Sequence, residues 1–117
     1  MRDHRNLLAF QLADELVLAV YRATKPFPRE EMFGLTSQLR RAAVSIASNI
    51  VEGCARESQP DFVRFLDMAF ASSREVEYQL TIAERLGYLP ADEAQEVGAK
   101  ATEAAKVIYG LLKSLRK

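Results

Sequence analysis

The side chains in this sequence that could do chemistry are few, and most fall on one stretch. Between Leu35 and Arg56, the residues Gln38, Arg41, Ser45, Asn49, Glu52 and Arg56 recur three or four apart, which on an α-helix places them on one face. A guanidinium, a hydroxyl and an amide in line can hold an anion, grip a partner or satisfy one another. Ser and Asn are mediocre helix formers because their side chains compete for backbone hydrogen bonds. Their place in mid-helix points to close backbone approach or to polar contact with a neighbouring element.

The other reactive types stand alone. His4 is the one histidine and Cys54 the one cysteine. A metal site would need partners that the sequence does not set near His4, which reads as a solvated residue of a frayed terminus. Cys54, near the apolar end of its helix, reads as a buried small hydrophobe rather than a nucleophile. A single cysteine also excludes an internal disulfide. There is no Gly-rich phosphate loop, no pair of histidines and no nucleophile elbow. The expectation is a protein without enzymatic activity, cofactor or metal.

The elements that position the polar face are helical throughout. The same central stretch carries Leu35, Leu39, Ala43, Ile46 and Ile50 on a second, apolar face. Ahead of it, residues 6–24 lack Gly and Pro and hold two adjacent apolar sets. One is Ala9, Leu12, Leu16 and Ala19; the other is Phe10, Ala13, Val17 and Val20. Pro26 and Pro28 end this first helix. Phe27 and Phe33 are expected to plug the bundle end, and Thr36 or Ser37 to cap the second helix. Ser58 with Asp61 resembles a capping box, with Pro60 tolerated in the first turn. The third helix then shows a heptad seam of Phe62, Leu66, Ala69, Ser73, Val76, Leu80, Ala83 and Gly87. Leu86 to Pro90 stops it. A fourth seam follows in Ala94, Val97, Ala101, Ala104, Ile108, Leu111 and Leu115. Gly98 and Gly110 inside this helix suggest close packing or a bend. The pattern predicts one all-α domain over residues 1–117, an antiparallel up-down-up-down four-helix bundle with helices near 6–24, 36–55, 59–86 and 91–116.

Length and composition bound the function. A chain of 117 residues, 49% hydrophobic, buries roughly two-thirds of its unfolded surface as one domain. Sixteen basic residues balance sixteen acidic ones, so no global field draws it to nucleic acid or an anionic membrane. The longest apolar run, Leu16 to Tyr21, is far below the ~20 residues of a membrane helix. The start MRDHRNLL lacks the pattern of a secretion signal, and the cytoplasm is the expected location.

Register brings the polar residues together. A hairpin turning near Glu57 sets Arg41 level with Ser73 to Glu75, Gln38 with Val76 and Asn49 with Phe65. Gln38, Arg41, Ser45, Asn49, Ser72 and Glu75 thus form a candidate polar cluster, which either fixes helix register or binds a ligand. Lys25, Arg29, Arg40, Arg41 and Arg56 are the candidate nucleic-acid contacts, since between Leu35 and Arg56 only Glu52 is acidic. The apolar set Phe10, Ala13, Val17 and Val20 is a candidate subunit interface, because one bundle does not readily bury both sets of the first helix.

One resemblance covers nearly the whole chain. Phe27-Pro28, the run from Gly34 to Ile46, Ser48-Asn49-Ile50, Glu52-Gly53, the run from Glu75 to Leu80 and Leu86-Gly87-Tyr88-Leu89 resemble the four-helix-bundle family named after proteins encoded in intervening sequences of bacterial 23S ribosomal RNA genes. The chain departs from that pattern at Ala47, where proline is frequent, and at Ala71 and Ser73, where glycine and leucine are common. The resemblance implies a small bundle that assembles as a ring, most often a pentamer, with a role mostly unassigned. A related family member, the accessory variability determinant of diversity-generating retroelements, partners a reverse transcriptase and RNA. The expectation is a homo-oligomeric scaffold whose partners are its own copies. The alternative is an accessory protein that binds RNA or a nucleic-acid-processing protein.

Overall fold

Four helices account for most of the chain. The computed structural model describes residues 2–117. Its helices are α1, Leu8–Thr24; α2, Leu35–Ala55; α3, Gln59–Arg85; and α4, Ala91–Leu115, with single 3₁₀ turns at His4–Asn6 and Arg29–Glu31 and no strand among the described residues. Each helix packs on two others in the cycle α1, α2, α3, α4 and back to α1. Paired residues give the directions: Thr24 at the end of α1 meets Arg40 of α2, and Arg2, in the segment ahead of α1, meets Cys54 near the end of α2. Arg41 meets Glu75 and Ser45 meets Ser72 between α2 and α3, and Glu77 meets Thr102 while Gln59 meets Leu115 between α3 and α4. In each pair of helices one number rises as the other falls, so consecutive helices run antiparallel. The long dimension of 43 Å is that of α3, whose 27 residues span about 40 Å at ~1.5 Å per residue. No helix is long and apolar enough to cross a membrane among the described residues.

Local chemistry fixes the ends. Ser58 Oγ accepts the Asp61 N–H at 3.2 Å, and Pro60 sits in the first turn of α3, where its missing N–H costs nothing. Gly87 closes that helix with φ of 78°. The Tyr88 N–H reaches the Ala83 carbonyl at 2.9 Å and the Gly87 N–H the Glu84 carbonyl at 3.0 Å, a Schellman closure that needs a left-handed residue. The cap of α2 is not Thr36 or Ser37. Gly34 occupies the cap position without a side chain, and the Glu31 carboxylate accepts the Leu35 N–H at 2.9 Å instead, placing a negative charge at the positive end of the helix.

The core follows the seams with three changes, one being that Gly87 lies exposed beyond the end of α3 instead of in its seam. Leu16, Leu39, Ile46, Ile50, Leu66 and Ile108 are fully buried. On α4 the seam drifts, so Leu112 is buried while Leu111 and Leu115 only pack against the core; a straight helix slips by ~20° per heptad relative to a strict seven-residue repeat. The third change is on α1, where Ala13 and Val20 are wholly buried within the single chain. Phe10 and Val17 pack against the same core, and Phe10 meets the His4 ring edge-on at 4.7 Å between centroids. Ala13 and Val20 are therefore core residues and not the expected subunit contacts, while Phe10 and Val17 stay partly exposed. α1 lies between α2 and α4, so residues from both of its apolar sets, Ala9 and Leu16 with Ala13 and Val20, reach the core. His4 likewise lies in an ordered turn against Phe10 rather than in a frayed tail.

Candidate functional site

The polar face of α2 meets α3. The Arg41 guanidinium donates to Glu75 at 3.2 Å, and the hydroxyls of Ser45 and Ser72 share a hydrogen bond at 3.0 Å. Asn49 turns back along its own helix, its amide donating to the Ser45 carbonyl at 2.8 Å and hydroxyl at 3.0 Å. Gln38 makes no side-chain hydrogen bond among the described residues. Its expected place is taken by Gln79, which donates to Glu75 at 3.1 Å and is 6% exposed. Gln79 lies one turn beyond Glu75 on the same face, the one signal in the sequence that marks it. Arg41 and Glu75 keep 63% and 39% of their side-chain surface, so the pair is a surface feature resting on a buried amide. The close approach that Ser and Asn suggested is real further along: a Cβ on Gly53 would lie 2.9 Å from Phe65 Cβ and 3.2 Å from Phe62 Cδ1. The arrangement satisfies its own polar groups more than it offers them.

The basic residues do not form one surface. Arg40 donates to the Thr24 hydroxyl at 2.8 Å and stacks on Tyr21 at 4.6 Å. Thr24, itself buried, donates its hydroxyl hydrogen bond to the Val20 carbonyl at 2.8 Å. Lys25 and Arg29 are exposed at this end of the bundle. Arg56 lies at the other end, about 22 Å from Arg41 along the helix axis, over the Phe65 ring at 4.9 Å. Cys54 is buried, and burial pushes its thiol up from the ordinary value, which disfavours the nucleophilic thiolate.

The end bearing Lys25 holds a feature that helical periodicity could not show. Phe27 is buried and tilts against Tyr88 at 5.6 Å, filling the plug position. Phe33 does not join it: Phe33 is 92% exposed, beside Met32 at 51% and Tyr21 at 41%. The reason is the anchoring of Glu31, which also accepts the Tyr88 hydroxyl proton at 2.9 Å. With Phe27 and Glu31 both tied to Tyr88, the next two residues turn outward before α2 begins. A shallow recess forms there between Tyr21, Met32, Phe33, Ser37, Arg40 and Arg41.

A second recess lies between α3 and α4. Glu77, Leu80, Glu84, Ala94, Gly98 and Thr102 line about 290 Å³. Glu77 accepts the Thr102 hydroxyl proton at 2.8 Å and stands 3.5 Å from Arg74. A Cβ on Gly98 would meet nothing within 4 Å, so neither close packing within the chain nor crowding explains this glycine; the same holds for Gly110. Among the described residues no group of three or more His, Cys, Asp or Glu is placed to hold a metal ion.

Comparison with known proteins adds the family. The family model described as 23S rRNA-intervening sequence protein matches residues 5–110. A crystal structure from Bacteroides thetaiotaomicron VPI-5482, described as a protein with unknown function from the S23 ribosomal protein family, is similar with a TM-score of 0.82 at 23% sequence identity, covering 91% of this chain and 99% of that one. At that identity the likeness shows the fold. No curated protein matches the sequence.

Proposed function

The chain belongs to the 23S rRNA-intervening sequence protein family, and from that premise we propose that it is a non-enzymatic interaction protein that works as a homo-oligomer in the cytoplasm. One observation carries the reading: Phe33 is 92% exposed next to the half-exposed Met32 and Tyr21. Keeping the Phe33 ring in water forgoes about 1.5–3 kcal/mol of burial and the half-exposed Met32 a part of that, and a contiguous apolar patch rimmed by polar groups marks an interaction site. The non-enzymatic part is supported by a buried thiol whose ionisation is disfavoured and by polar residues on α2 and α3 that bond to each other. A closed ring is the form of assembly proposed, a pentamer by the family resemblance.

The test is light scattering on a size-exclusion column, with circular dichroism alongside. Wild type is expected to elute as a multiple of 13.1 kDa. Phe33→Asp is expected to shift toward a single chain with unchanged helical signal. A wild-type monomer at micromolar concentration contradicts the proposal.

A second reading rests on Lys25, Arg29, Arg40 and Arg41 gathering at one end of the bundle. It proposes phosphate contacts to RNA, or to a protein that processes it, without base readout. Arg40 and Arg41 are already engaged by Thr24 and Glu75, which ranks it second. RNA binding that falls steeply from low to physiological salt would support it, and salt-insensitive binding would remove it.

A further inference from the structure

The surface that receives the Phe33 corner is open to identification from the same chain. We propose that Phe33 of one copy docks in the α3/α4 recess around Gly98 of a second copy, an inference that rests on the homo-oligomeric reading above.

Three observations carry it. The first is charge. Arg41 and Glu77 are paired within the chain, with Glu75 and Arg74. The charges left at the borders are the Arg40 guanidinium beside Phe33, bonded only to neutral groups, and the Glu84 carboxylate of the α3/α4 recess. Opposite potentials on the two surfaces favour their meeting and disfavour each surface meeting its like. The second is space. About 290 Å³ lies open between α3 and α4, while an engineered apolar cavity of ~150 Å³ suffices to hold benzene. Leu80 and Ala94 give the recess an apolar floor. The third is Gly98. Glycine inside a helix costs about 0.5–1 kcal/mol relative to alanine, and here no contact within the chain requires it. A ring from outside, seated against the α4 backbone, supplies the missing reason.

The two surfaces also approach one end of the bundle. Glu84 and Ala94 lie in the terminal turns that flank residues 86–90, and this connection is tied to Phe33's own by the Glu31–Tyr88 hydrogen bond. Copies joined through two different surfaces make a head-to-tail interface. The α3/α4 recess reaches that end of the bundle, and Gly98 lies seven residues into α4, about 10 Å further along the axis.

Two kinds of variant test this. Phe33→Asp removes the donor; Gly98→Trp fills the acceptor, with Glu84→Arg as a second acceptor variant that leaves the helix backbone untouched. Each is expected to be a folded single chain by circular dichroism and light scattering, at concentrations where wild type is oligomeric. An equimolar mixture of Phe33→Asp and Gly98→Trp retains one intact donor and one intact acceptor, so it is expected to form a one-to-one dimer and stop there. If wild type is oligomeric and both acceptor variants stay fully assembled, the docking proposal is overturned while the homo-oligomer stands. A mixture that remains monomeric at the highest soluble concentration also overturns it. A monomeric wild type removes both readings together.

Discussion

Gly53 and Gly98 both interrupt helices, yet they belong to opposite kinds of seam. Where α2 crosses α3, the absent side chain at Gly53 is filled by Phe62 and Phe65. Where α3 lies beside α4, the absent side chain at Gly98 leaves an open recess. The α2/α3 seam is closed on itself, apolar at depth and bridged by Arg41, Ser45, Ser72 and Glu75 at its edge. The α3/α4 seam holds an open recess with an apolar floor of Leu80 and Ala94, and is bridged there by the Glu77–Thr102 hydrogen bond. A glycine in a helix is thus evidence of close approach only once the approaching atoms are known.

The largest effect expected from this contrast is at Gly53. Gly53→Ala gains helix propensity, but its Cβ would press on Phe65 Cβ, which no rotamer change can move. Overpacking of this kind costs about 1–3 kcal/mol, and urea unfolding should show the midpoint fall. An unchanged or higher midpoint would mean that the seam is looser than the structure shows.

Next comes the polar edge, where the two partners of one ion pair should behave unequally. Glu75→Ala strips the buried Gln79 amide of its acceptor, with Gln79 Oε1 already lacking a partner among the described residues. Leaving a buried polar group unpaired costs about 1–3 kcal/mol. Arg41→Ala removes only an exposed ion pair, worth roughly 0.2–1 kcal/mol. Equal losses in the two variants would show that the pair itself, rather than Gln79, matters.

Gly98→Ala should act in the opposite direction to Gly53→Ala. In a single-chain background such as Phe33→Asp, it is expected to raise stability by about 0.5–1 kcal/mol. Destabilisation there would reveal a contact within the chain at Gly98.

The smallest effect expected is one of pH. Hydrogen bonds from the Leu35 N–H and then the Tyr88 hydroxyl hold the Glu31 carboxyl below its ordinary value. A carboxylate whose folded value is depressed contributes stability above its unfolded value, and loses it as pH falls through the folded one. The difference in melting temperature between wild type and Glu31→Gln should therefore be greatest near neutral pH and shrink in the acid range. A difference that stays constant with pH would assign the effect to shape rather than charge.

Much of this fold was legible in the residues, because seams and stops are local signals. The α3 seam from Phe62 to Ala83 is buried throughout, and Ser58, Gly87 and Pro90 mark ends by chemistry that needs no tertiary context. Register across one short turn also carried Arg41 to Glu75. What escaped depends on the third dimension. Whether Ala13 and Val20 face a partner or the core turns on α1 having two neighbours. Phe27 and Phe33 are alike in sequence, and only the anchoring of Glu31 by Tyr88 sends one inward and the other out. Gln79 was hidden because its one signal, a place one turn beyond Glu75 on the same face, does not tell that its amide will be buried.

The central claim is that the exposed Phe33 corner exists to be covered by another copy of the chain. The most direct measurement is the molar mass of wild type and Phe33→Asp by light scattering in the same buffer and at the same micromolar concentration. The account predicts a wild type of several chains and a variant at 13.1 kDa, both fully helical. Equal masses for the two proteins would contradict it.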